Sequence, residues 1–118
     1  MSRSKASAGR TFTYDEALAS FPMVRDLTAA AVRQVEALVN ELQSVDEMEA
    51  RETELHESYR RIVEAWAEEV ATLGCEAKGL WLVDWDSGDG YYCWRHPEPT
   101  IGFFHSYEEG FAGRVPVN

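Results

Sequence analysis

Seven side chains in the C-terminal part of the chain can do chemistry together: Asp84, Cys93, Arg95, His96, Glu98, His105 and Arg114. Six of them fall in "YYCWRHPEPTIGFFHSYEEGFAGR", Tyr91 to Arg114. A thiol, an imidazole and a carboxylate are donors that zinc and neighbouring transition metals accept. Cys93, His105 and Asp84 therefore form a candidate metal set, with His96 and Glu98 as further donors. Guanidinium groups hold carboxylates and phosphates through two parallel N–H donors. Arg95, Glu98, His105 and Arg114 are accordingly a candidate set for a small anion. A third chemistry needs Cys93 and His105 as a thiolate–imidazolium pair oriented by an acid. Structural readings compete with all three. The thiol and histidine can simply be buried, Arg95 can pair with Glu98 or Asp84, and Arg114 with Glu108 or Glu109. The chain has no paired cysteines, nucleophile elbow, phosphate-binding glycine loop or HExxH motif.

These groups need a scaffold, and the pattern after Gly74 is that of strands. "LWLVDWD" (Leu80 to Asp86), "YYCWR" and "IGFFHSY" are rich in β-formers, and "SGDG" and "HPEPT" separate them as turns. This predicts a three-stranded antiparallel meander. A four-residue turn at 87–90 sets Asp86 opposite Tyr91, Asp84 opposite Cys93 and Leu82 opposite Arg95. Continuing from an Arg95–Ile101 pair, Cys93 faces Phe103 and Tyr91 faces His105. Strand side chains alternate, so two faces follow. Trp81, Val83, Trp85, Tyr92, Trp94 and Phe104 make an aromatic face to pack on helices. Leu80, Leu82, Asp84, Tyr91, Cys93, Arg95, Ile101, Phe103 and His105 make the other.

The helices come first in the chain. Thr13 and Glu16 have capping-box spacing, which predicts a short helix from Tyr14 to Ser20, with Pro22 opening a second. Val24, Leu27, Ala31, Val35, Leu38 and Leu42 then form one apolar stripe, and "SVDE" at 44–47 offers another capping box after a break near Gln43. Leu55, Tyr59, Ile62, Trp66, Val70 and Leu73 form a matching stripe that Gly74 ends. Two long helices with a short connection predict an antiparallel hairpin. Neither helix carries a Glu-x-x-His pair of the kind that builds a di-metal bundle. Val32, Val39, Ile62 and Val63 widen the apolar surface beyond one stripe, so a homodimer through the long helices is expected.

Length and composition agree with one α+β domain over residues 11–118, preceded by a flexible leader over 1–10. The net charge is −10, and three cations without an acid precede Thr13, so the remainder carries −13. Such a body repels phosphate backbones, which excludes duplex nucleic acid as the expected partner. No apolar run is long enough to span a bilayer, and "MSRSKASAGR" has no apolar signal core, so no membrane role and a cytoplasmic location are expected. Cys75 and Cys93 are then expected as reduced thiols.

With "FTYDEALASFPMVRDL", the segments "GLWLVDW", "YCWRHPEP" and "FFHSYEEGFAGR" resemble the family catalogued as domain of unknown function 2203. The likeness runs from Phe12 onward and rests on Asp84, Cys93, Trp94, Arg95, Glu98, His105, Gly110, Phe111, Gly113 and Arg114. His96 and Pro97 replace the family's hydrophobe and Gly, and Phe104 replaces a Trp. The resemblance implies this fold and site position, and no reaction. The expected function is a binding or interaction module whose polar site holds a small anion or a metal such as zinc. The alternatives are a small enzyme using Cys93 and His105 or a metal, and a structural patch beside a helical partner surface.

Overall fold

The computed structural model describes residues 10–41 and 49–117. Helix α1 spans Tyr14–Asn40 and α2 spans Glu52–Thr72. Five strands follow: β1 Glu76–Gly79, β2 Leu82–Asp86, β3 Tyr91–Arg95, β4 Phe103–His105 and β5 Val115–Pro116. They form one sheet in the order β1-β2-β3-β4-β5, with every neighbouring pair antiparallel. The α+β class stands, but the sheet has five strands rather than three.

The two added strands are those that β-propensity misses. β1 reads "EAKG", without a β-branched or aromatic residue, and β5 contains Pro116. Both lie at sheet edges, where a polar strand or a proline is tolerated. Leu80 and Trp81 are the turn joining β1 to β2 rather than the start of a strand, and Trp81 has φ +58°. That backbone is unfavourable for a bulky residue. Two contacts hold it: the Trp81 carbonyl accepts from His96 N–H at 3.0 Å, and its ring meets Trp66 edge-on at 4.9 Å.

The predicted capping box is present, with Glu16 N–H donating to Thr13 Oγ1 at 3.0 Å and Thr13 N–H to Glu16 Oε1 at 2.8 Å. Pro22 does not begin a second helix; it lies inside α1. An interior proline costs a helix about 3 kcal/mol. Keeping the helix unbroken buries Ala17, Phe21, Val24, Thr28 and Ala31 on one stripe across the proline, and that burial outweighs the cost. The second capping box and the break near Gln43 lie outside the described residues.

The core forms where both helices meet one sheet face. Phe12, Phe21, Val24, Trp66 and Val70 pack on Val83, Trp85 and Trp94. Each buried indole N–H finds an acceptor: Trp66 at Thr28 Oγ1 (2.9 Å), Trp85 at Ser20 Oγ (2.8 Å) and Trp94 at the Glu98 carbonyl (2.7 Å). Apart from Leu80 and Trp81 in the turn, the expected faces are observed with one further correction. Ile101 belongs to the core rather than the polar face, because β4 begins only at Phe103 and strand alternation does not reach back to it. Among the described residues no helix is long and apolar enough to cross a membrane.

Candidate metal centre

The sheet face turned away from the helices is where the chemistry-bearing residues meet. The β2–β3 register sets Asp84 opposite Cys93, and the β3–β4 register sets Tyr91 opposite His105. The first pairing follows from the four-residue turn at 87–90, which Ser87 N–H closes on the Gly90 carbonyl at 2.8 Å. Gly90 also lets β4 come close, since a Cβ there would lie 2.6 Å from the His105 carbonyl oxygen and 2.6 Å from the Phe104 ring. The missing side chain thus helps bring His105 to the other two.

Asp84, Cys93 and His105 are all buried, and one ligand atom from each lies within 4.8 Å of the others. His105 Nδ1 is 2.8 Å from the Ser106 carbonyl oxygen, so it carries the proton on that side. Nε2 is 2.9 Å from Asp84 Oδ2. Asp84 Oδ1 is buried and meets no hydrogen-bond partner. An orphaned buried carboxylate oxygen is costly and rare. Burial, and after it the Asp84 charge, pushes the Cys93 thiol up to about 12. The thiol is therefore neutral at physiological pH unless a cation takes the proton's place.

Both nitrogens of His105 are engaged, one by a carbonyl and one by Asp84. Neither is left to take a proton from Cys93, so the geometry does not build a thiolate–imidazolium pair. His96 stands apart, with its ring edge-on to Trp94 at 6.1 Å, and does not join the donor cluster.

The expected anion-binding residues are arranged differently. Arg114 grips Glu98 with two parallel bonds, Nη1 to Oε1 at 3.0 Å and Nη2 to Oε2 at 2.8 Å. Its guanidinium lies between the Phe103 and Phe111 rings, 4.0 and 4.1 Å from their centroids, and Nη1 is 4.0 Å from Cys93 Sγ. Glu98 also accepts the Arg95 backbone N–H at 2.9 Å. Burial opposes the Glu98 charge, but the Arg114 bond and the Arg95 N–H outweigh it and hold the carboxyl below its ordinary value. The Arg95 side chain is exposed beside Phe111. His105 faces Asp84 rather than either arginine.

Sequence reasoning missed the rim of this site. Lys78 Nζ lies 3.6 Å from both Asp84 Oδ2 and Glu76 Oε1, and 3.8 Å above the Tyr91 ring. Burial disfavours the ammonium, yet Asp84, Tyr91 and Glu76 together raise the Lys78 pKa. The available signal was composition, because Lys78 is the one lysine after the N-terminal segment.

No curated protein and no solved structure matches the chain. A family model, described as an uncharacterised conserved protein, matches residues 10–117, nearly the whole chain and all the residues of this site. The chain belongs to that family, DUF2203.

Proposed function

We propose that this protein is a metal-binding module in which Asp84, Cys93 and His105 hold a transition-metal cation of the zinc kind. The observation that carries this reading is the buried Asp84 Oδ1, left without a partner beside a thiol and an imidazole. Zinc bonds of about 2.0–2.3 Å set tetrahedral donors roughly 3.3–3.7 Å apart. The three donors, within 4.8 Å of one another, need to close by no more than about 1.5 Å at the widest pair. The Ser106 carbonyl on Nδ1 is the partner that orients a metal-binding histidine and leaves Nε2 for the ion. A carboxylate, a thiolate and a neutral imidazole also balance a divalent charge. An anion is the weaker fit, since it would have to displace Glu98 from Arg114. The test is titration with Co²⁺, a spectroscopic stand-in for zinc. One equivalent is expected to bind and give a sulfur-to-cobalt charge-transfer band, lost in Cys93→Ser and His105→Ala. A wild-type protein that gives no such band sinks the reading.

We further propose that a second copy of the chain covers the outer half of the helical hairpin. Buried residues end at Ala31 in α1 and begin only at Trp66 in α2. Beyond them Val39 is 54% exposed and Tyr59 37% exposed, on a surface the sheet does not reach. Glu57 already pairs with Arg60 and Arg61 inside α2, so the exposed apolar side chains rather than these charges carry the contact of an isologous interface. Sedimentation equilibrium is expected to give a dimer, and Val39→Glu with Tyr59→Glu a folded monomer. A monomeric wild type at tens of micromolar would refute it.

A further inference from the structure

Lys78 stands at the rim of this centre, and the inference drawn from it rests on the metal-binding reading above. In the β1–β2 ladder Ala77 pairs with Val83 and Gly79 with Leu82, so Lys78 is the extra residue of a bulge. Bulges re-aim side chains and cluster beside functional sites. This one brings the Lys78 ammonium to Asp84 Oδ2, against a carboxylate that is itself buried. Lys78 is partly open to solvent, whereas Asp84, Cys93 and His105 are enclosed.

We propose that Lys78 is the resident counter-ion of the centre, occupying its mouth and competing with the metal for Asp84. The charges support this. Without a metal, the buried Asp84 carboxylate has the Lys78 ammonium and the His105 ring beside it. A divalent ion held by carboxylate, thiolate and imidazole makes a neutral unit, and the ammonium next to it has no negative charge left there to balance. Lys78 has somewhere to go, because Glu76 Oε1 lies as near as Asp84 does and the Tyr91 face is beneath it. It can release Asp84 without being stranded.

The experiment compares Co²⁺ affinity and metal-free melting temperature in wild type, Lys78→Met, Lys78→Gln and Lys78→Arg. Lys78→Met and Lys78→Gln are expected to bind cobalt about tenfold tighter or more, since the competitor is gone. Both are expected to melt lower without metal, because Asp84 loses its counter-ion, and to recover with cobalt bound. Lys78→Arg, which keeps the charge, is expected to stay within about threefold of wild type. Equal or weaker binding in the two neutral variants overturns the role of Lys78 while leaving the metal site in place. Absence of cobalt uptake in every variant, the wild type included, overturns both.

Discussion

His105→Ala is expected to cost the metal-free protein about 3–5 kcal/mol, the range for leaving a buried carboxylate without its partner. The reason is what it leaves behind. Asp84 Oδ1 already lacks a partner, and without Nε2 the other oxygen keeps only Lys78, 3.6 Å away. A domain of ordinary stability has about 5–15 kcal/mol in total, so the variant stands near unfolding. In an Asp84→Ala background the same change is expected to cost less than half as much, because no charge is stranded. Urea denaturation of the four proteins of this cycle, with chelator present, measures the coupling. Additive costs would mean that the 2.9 Å contact contributes nothing. Replacing Asp84 and His105 together by leucine is expected to be neutral or stabilising, as for other buried polar pairs.

Arg114→Ala is the second large effect, expected at about 2–4 kcal/mol. It removes the double bond to Glu98 and the stacking on Phe103 and Phe111, and leaves Glu98 partly buried with the Arg95 N–H as its remaining partner. Arg114→Lys is expected to recover less than half, since an ammonium is neither forked nor flat. The pH dependence has a definite sign. Glu98 is held below its ordinary value, so the pair contributes fully above about pH 4.3, the unperturbed glutamate value. That contribution is lost as pH falls through the lowered one. Glu98→Gln should flatten this acid limb of the stability curve. An unchanged limb would show that the pair is too well solvated to matter.

The site was legible in the sequence to the extent that register was. A four-residue turn between two aromatic strands admits one pairing that keeps Trp85 and Trp94 inside, and that pairing aligns Asp84 with Cys93. His105 followed from the next strand by the same alternation. Lys78 was not legible, because its position depends on a bulge in a strand whose residues have no strand preference. Thr28 was missed for a different reason. It sits on the apolar stripe of α1, where its hydroxyl donates to the Val24 carbonyl and accepts from Trp66, so a polar residue fills a core position. The continuous helix through Pro22 was a case of tertiary burial overriding local preference. Arg114 and Glu98 were both recognisable, but their pairing spans a turn, a strand and a 3₁₀ segment, which no local pattern encodes.

Each strand of the sheet pairs with the next in the chain, so the sheet can assemble hairpin by hairpin. The first helix cannot share that economy. Phe12 N–H donates to the Asp86 carbonyl, and Tyr14 donates its hydroxyl to the carbonyl of Ile101, 87 residues later. At about 5–20 residues per second, a ribosome needs roughly 4–17 s to cover that interval. Until β2 and β3 are made, the stripe of Phe21, Val24 and Ala31 has no sheet to lie on. Helix α1 is thus made before the strands that cover it, and its apolar stripe is closed only by residues encoded far along the chain.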